Sequence, residues 1–314
     1  MKRIVHQLTA SKTSGLASEV TWIDIQPPLQ TSINSLAHAY RFDPFILNEL
    51  LTPSLRAKVE RYDHYLYLVL HFPVYDKKTR ETHAHELDIL ATADTVITVH
   101  AKTILPLKAM FDKATLYESA RNALMGRGAG ILLYHLIETL IAALPPKVDH
   151  IAEKIDVIEA EIFRGREREM ISEISIVKRD ILSFRRAIKP QRSLLESLVD
   201  LGPALYGAGT RPYFRDLLGD YLRVWDHLEN NHDMINALET TNASLFSVKL
   251  NEVMKVLTIF AAILLPMSLV VGIFGVSLTH IPLKDEPEAF WIMLGSIGTL
   301  GLIMLAVFRW KRWL

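Results

Sequence analysis

Residues 251–275 read NEVMKVLTIFAAILLPMSLVVGIFG, and the last twenty, Val256 to Gly275, carry no charge. A helix rises ~1.5 Å per residue, so twenty residues cross the ~30 Å hydrocarbon layer of a bilayer. A second uncharged run of equal length, Ala289 to Phe308, follows a short linker. The chain ahead of both runs is charged and globular in character. The sequence therefore predicts a large soluble domain joined to a two-helix membrane anchor.

Flanking charge orients the anchor. Lys249 and Lys255 precede the first run, and Arg309, Lys311 and Arg312 follow the second. The linker 276–288 carries Lys284 against Asp285, Glu286 and Glu288. Cytoplasmic flanks collect Lys and Arg, so both termini are expected in the cytoplasm and the linker outside. Trp291, Trp310 and Trp313 stand where interfacial aromatics belong. The opening Met1-Lys2-Arg3-Ile4-Val5-His6 leads into polar residues with no apolar core of signal-peptide length, so no cleaved export signal is expected.

Composition excludes several classes. The chain balances 35 basic against 35 acidic residues, and residues 1–248 hold 29 against 31. That lacks the basic footprint of a nucleic-acid partner. Cysteine is absent, so disulfides, thiolate zinc sites and cysteine nucleophiles are excluded, and metal chemistry falls to oxygen and histidine ligands.

The first part reads as mixed α/β. Trp22-Ile23-Asp24-Ile25 is a short strand, and Ile33 to Tyr40 and Pro44 to Leu51 are short helices. Asp43 caps the second and Pro44 starts it. Lys58 to Tyr62 and Tyr65 to Val74 read as strand, turn, strand. Glu86 to Ala91 and Thr95 to Val99 repeat the pattern, and Pro106 to Leu116 is helical. From Ile131 to Leu198 the texture changes to long helices, with Ile151, Ile155, Ile158 and Ile162 at helical spacing. Gly202-Pro203 and Gly207-Ala208-Gly209 mark a break, after which Pro212 opens another helix. No strong stop follows until Gly275, since Pro266 can kink a membrane helix without ending it. A continuous helix there has about 64 residues and a length of ~95 Å. Tyr221, Leu228, Ile235, Asn242 and Lys249 recur every seven residues, with Leu218, Trp225, His232 and Leu238 near the intervening positions. That degraded heptad fits either one rod that links the cytoplasmic domain to the membrane or packing on the preceding helices.

The expected organisation is a cytoplasmic α/β domain at 1–130, a long-helix region at 131–210 and a stalk helix at 211–255. The first transmembrane helix follows at 256–275, then an external loop at 276–288, a second transmembrane helix at 289–308 and a basic tail at 309–314.

At ~100° per residue, Asn251, Met254, Thr258, Ala261, Leu265, Ser268 and Gly272 share an arc of about 100° on the first membrane helix. Val253, Val256, Phe260, Ile263, Leu264, Met267, Val270, Val271 and Phe274 fill the opposite side. The small, weakly polar stripe allows close helix packing. It equally suits a narrow path, with oxygens from Asn251, Thr258 and Ser268 and dewetting constrictions at Met254 and Leu265. Two helices cannot enclose a hydrated hole, so a path requires several chains around an axis. In the second helix Gly295, Gly298 and Gly301 permit close approach.

The string Asn251-Glu252-Val253-Met254-Lys255-Val256-Leu257-Thr258-Ile259, with Pro266 and Gly272-Ile273-Phe274-Gly275, resembles the CorA superfamily of divalent-cation transporters. Asp43-Pro44, Arg56, Lys58-Val59-Glu60, Tyr65-Leu66-Tyr67-Leu68-Val69-Leu70 and Tyr213-Phe214-Arg215-Asp216 extend the likeness over most of the chain. The resemblance implies a homopentamer in the inner membrane, with a funnel-shaped α/β cytoplasmic domain and the first membrane helices lining a central pore. By position, Asn251, Met254, Ala261, Leu265 and Ser268 match the family's pore-facing residues, which turns the stripe's reading from packing to path.

One motif departs from the family pattern. Where the family carries Gly-Met-Asn or Gly-x-Asn at the outer mouth, this chain has Gly275-Val276-Ser277. Serine is shorter than asparagine and is both donor and acceptor. Five serines make a wider ring with a weaker grip on a hydrated ion. The following Leu278-Thr279-His280-Ile281-Pro282 and Phe290-Trp291 look closer to the zinc-transporting ZntB branch, and His280 suits either zinc or an exposed loop without a role. Asp285, Glu286 and Glu288, repeated in each copy, fit either a concentrator of cations outside or a solvated loop. The resemblance also implies that Asp216 binds a regulatory metal between subunits; Glu86 or Asp88 are candidate partners, against the plain reading of surface acids without a ligand.

Other constellations are weaker. His83-Ala84-His85-Glu86 puts two histidines on one strand face, which suits zinc, but its place between strands predicts an exposed hairpin tip. Arg164-Gly165-Arg166-Glu167-Arg168-Glu169 reads as a solvated turn between helices. Gly126-Arg127-Gly128-Ala129-Gly130 lacks the Lys-Ser/Thr of a phosphate loop. No nucleophile elbow and no His-Glu-x-x-His is present, so the chain is not expected to be an enzyme or to hold a cofactor. The expected partners are further copies of the chain, the bilayer and a transported or regulatory divalent cation (magnesium, cobalt or zinc). The alternative expectation is a non-transporting scaffold that keeps the fold without the selectivity ring.

Overall fold

The computed structural model describes residues 5–11, 19–54, 56–275 and 288–311. Its described strands are β1 (Val5–Ser11), β2 (Glu19–Ile25), β3 (Lys58–Arg61), β4 (Tyr65–Asp76), β5 (Glu81–Thr92) and β6 (Thr95–Val99). They form a mixed sheet in the order β1-β2-β6-β5-β4-β3, in which β2 and β6 run parallel and the other pairs antiparallel. Tyr65 to Leu70 is buried without a break. A strand covered on both faces reads as a continuous apolar run, and this one is.

On one face, Ile23, Ile25, Tyr65, Tyr67, Val69, Leu90, Ile97 and Val99 meet two short helices, α1 (Gln30–Ala39) and α2 (Pro44–Glu49). Asp43 caps α2 as its sequence predicts, accepting from the Phe45 N–H at 2.8 Å. The other face carries α3 (Leu105–Leu116), α4 (Glu118–Met125), α5 (Ala129–Ala142), α6 (Pro145–Phe163), α7 (Glu167–Ile188) and α8 (Gln191–Tyr206). Trp22 meets Phe111 of α3 edge-on at 4.8 Å, and Tyr206 of α8 donates to the Thr92 carbonyl at 2.9 Å. Each large apolar side chain fully buried here contributes ~1.5–3 kcal/mol.

Several elements differ from the sequence expectation. β1 is a strand that the sequence does not predict, because at this sheet edge Leu8 and Ala10 are its buried apolar residues and the alternation is too short to stand out. β5 begins at Glu81, so His83 to Glu86 lie within a strand and not at a hairpin tip; the turn is at 77–80, where Arg80 takes φ +56°. α8 runs through Pro203 and stops at Gly207, whose φ is +92°. Gly202 is there for packing, since a Cβ would overlap the Phe214 ring.

The chain divides into two compact units, Met1–Glu239 and Thr240–Leu314. Helix α9 (Arg211–Gly275) contributes to both and continues through Pro266 for 65 residues. Within the first unit its heptad stripe is explained by packing in the same chain. Tyr221, Leu228 and Ile235 are buried, and Tyr221 donates to the Ile188 carbonyl at 3.0 Å. Arg185–Glu229 and Lys178–Glu239 ion pairs, at 2.8 and 2.6 Å, fasten α7 to α9. The second unit holds the end of α9 and α10 (Ala289–Trp310).

Candidate functional site

Three helical stretches among the described residues are long and apolar enough to cross a membrane. The first, Ala129–Phe163, is largely buried: it covers α5 and α6, whose Ile131, Leu132, Leu136 and Ile137 serve the core. The other two, in α9 and α10, are almost wholly exposed. Phe260 is 61% exposed, Leu269 66% and Leu302 70%. Apolar surface on that scale marks contact with lipid or with other chains.

Within this second unit α9 has a covered side and a bare side. Ile259 is buried, and Ala262, Ile263, Pro266, Met267 and Val270 are half-buried on the same side. Gly301 of α10 is buried against Met267. Gly295 and Gly298, expected to share that role, have no neighbour where a Cβ would stand.

Asn251, Met254, Thr258, Ala261, Leu265, Ser268 and Gly272 are all exposed. At ~100° per residue their stripe is centred about 140° from the covered side. Val253, Phe260, Leu264 and Val271 occupy the sector between, exposed and bulky. The seven stripe residues are spaced 3, 4, 3, 4, 3, 4, a heptad repeat on the membrane helix that is legible in sequence and easily overlooked beside the stalk heptad. Such a seam favours a left-handed supercoil of like helices. Leu257, also exposed, stands just outside the stripe's edge. The Thr258 hydroxyl donates to the Met254 carbonyl at 2.7 Å. Its hydrogen is thereby committed, and its remaining lone pairs are acceptors only.

Gly275 ends α9. Val276, Ser277, His280, Asp285 and Glu286 lie outside the described residues. Glu288 is described; it is exposed and occupies the N-cap of α10.

The cytoplasmic acids are dispersed within one chain. Both Glu86 carboxylate oxygens accept from the Ser54 N–H, at 2.9 and 2.8 Å, and burial raises its pKa above the ordinary carboxylate value. Asp88 accepts from the Tyr67 hydroxyl at 3.1 Å; burial, then the neighbouring Glu86 charge, pushes it up to about 8. Both belong to the α1–α2 side of the sheet. Asp216 is exposed and accepts from Tyr134 of α5, on the other side, at 3.2 Å. His83 and His85 turn to different oxygens, Thr79 Oγ1 and the Thr103 carbonyl. Among the described residues no three His, Asp or Glu side chains converge as a metal site.

Comparison with known proteins matches this arrangement end to end. A cobalt/magnesium transport protein CorA of Thermotoga maritima is 30% identical over 300 residues, covering 95% of this chain and 84% of the relative. A putative metal ion transporter of Bacillus subtilis is 26% identical over 292 residues, covering 93% and 89%. The solved structure of the CorA magnesium transporter from Methanocaldococcus jannaschii superposes with a TM-score of 0.85 at 19% identity, over 100% of both chains. The model of the family described as CorA-like Mg2+ transporter protein matches residues 17–312, from ahead of β2 to beyond α10, and the chain belongs to that family.

Proposed function

We propose that this chain assembles as a homopentamer that conducts divalent cations, magnesium or cobalt, through a bilayer along an axis lined by α9. The observation that carries the reading is the bare stripe from Asn251 to Gly272, turned away from α10. Five such stripes enclose a path whose oxygens come from Asn251, Thr258 and Ser268. Met254 and Leu265 narrow it with apolar side chains, which hold back water unless the helices part. Both termini face the cytoplasm, and Asp285, Glu286 and Glu288 of each copy draw cations to the outer mouth. Asp216 serves this reading only as a site completed between copies. Magnesium sheds water reluctantly, so a path of weak acceptors suits the hydrated ion. Relatives named as cobalt/magnesium transport proteins support magnesium or cobalt as the cargo.

Purified protein in liposomes tests this. Uptake of Mg2+ or Co2+ above empty vesicles is the expected result, and a pentamer that moves none of Mg2+, Co2+, Ni2+ or Zn2+ contradicts it. Ser277 favours a second reading, a scaffold that has lost its selectivity ring. Magnesium flux that appears only in Ser277→Asn supports the scaffold.

A further inference from the structure

At the ends of β2 and β6 two ionisable side chains are buried together. The His100 side chain is 1% exposed and that of Asp24 12%. His100 Nδ1 lies 2.8 Å from the Lys102 carbonyl oxygen, and Nε2 lies 3.2 Å from Asp24 Oδ1. A carbonyl oxygen has no hydrogen to give. The same Asp24 oxygen already accepts from the Thr98 hydroxyl at 2.6 Å, so it too is an acceptor. Both ring nitrogens therefore carry hydrogens, which makes the ring an imidazolium. Burial lowers the histidine pKa, while the Asp24 hydrogen bond and charge and the Lys102 carbonyl together raise it by more, so it stands above the ordinary value.

We propose that His100 is a proton-operated clasp: charged, it ties β2 to the 100–104 segment that leads into α3, and losing its proton releases that segment. The same junction is held by the His100 N–H on the Ile25 carbonyl at 3.1 Å and by Gln26 donating to Thr103 Oγ1 at 2.7 Å. Neutral His100 would set a nitrogen lone pair against an oxygen lone pair. It would also leave Asp24 as a buried carboxylate without a counter-charge, which is costly. The segment lines both a cavity of about 330 Å3, with Glu86 and Asp88, and a cleft of about 950 Å3, with Asp24, Gln26 and Phe111.

Other titratable groups face this site. His6 pairs with Asp24 across β1 and β2, and Lys108 and Asp112 of α3 line the same cleft. His71 and His85 line the smaller cavity, and each has a nitrogen on a backbone carbonyl, of Ser54 and Thr103 respectively. The sign follows from the raised folded-state value. The stabilisation is full below the ordinary histidine pKa and is lost as pH rises through the folded one.

Hydrogen exchange of the full-length protein in nanodiscs, read by mass spectrometry at peptides spanning 100–105 and corrected for intrinsic exchange, tests the clasp. Protection is expected to fall by up to about tenfold per pH unit from the ordinary histidine pKa of ~6.5 up to the folded-state value, and to level off above it. His100→Gln and Asp24→Asn are expected to be poorly protected and flat with pH, while His6→Gln keeps the wild-type profile. Flat wild-type protection would overturn the clasp. So would an unchanged profile in His100→Gln, or loss of the profile in His6→Gln.

Discussion

Gly301 of α10 lies against Met267 of α9 so closely that a Cβ at position 301 would overlap the Met267 terminal methyl. That methyl ends a flexible side chain, so it can move for one added carbon. Gly301→Ala is therefore expected to be tolerated, and Gly301→Ile to cost about 1–3 kcal/mol as an overpacked contact. Gly298→Ala, with open space at its Cβ, is expected to be silent. Thermal unfolding of the purified protein in detergent separates the three.

Asp88 makes alkaline pH unfavourable to the cytoplasmic domain. Burial and the Glu86 charge hold its carboxyl protonated up to about 8. A carboxyl whose folded pKa is raised loses stability for the fold as pH climbs from the unfolded value of ~4 to the folded one. Asp88→Asn keeps an acceptor for the Tyr67 hydroxyl and removes the titration. The variant is expected to match wild type near pH 4 and to exceed it in melting temperature at pH 8. A wild-type melting temperature that does not fall over this range relative to Asp88→Asn would contradict the assignment.

Lys147 acts through the opposite charge. Its ammonium sits 4.1 Å over the Phe72 ring and donates to the Pro73 carbonyl, and burial lowers its pKa to about 8. A base lowered by burial leaves the fold more stable as pH rises from the folded value toward the unfolded one, ~10.4. Lys147→Met keeps the apolar stem. It is expected to raise the melting temperature at pH 7 and to remove the gain seen in wild type between about pH 8 and 10. Thermal unfolding at pH 7, 8 and 10 reads both effects.

The parts of this fold that sequence revealed are those where one period runs uninterrupted. Val256 to Gly275 and Ala289 to Phe308 are uncharged on every face and mostly apolar, and lipid or a deep core accepts such helices. Ile151, Ile155, Ile158 and Ile162 predicted α6, and all four are buried. The signal failed where context outweighs local preference. Pro203 stays within α8 although proline disfavours helix interiors. β1 is too short and polar to announce itself. The Asp24–His100 pair joins residues far apart in sequence, through strand register that no local pattern encodes. The stripe on α9 was legible as a face, but its direction was not. That required Gly301 and Met267 to show which side α10 covers.

The central claim is that the bare stripe of α9 lines a water-filled path. The chain contains no cysteine, so single cysteines can be placed without background. Thiols react as thiolates and need water to do so. Uptake of Mg2+ or Co2+ is measured in liposomes before and after a cationic, water-soluble thiol reagent, for Ala261→Cys and Ser268→Cys against Leu264→Cys and Val271→Cys. Block confined to Ala261→Cys and Ser268→Cys is the expected result. Block at Leu264→Cys or Val271→Cys, with the stripe positions unaffected, would contradict the account.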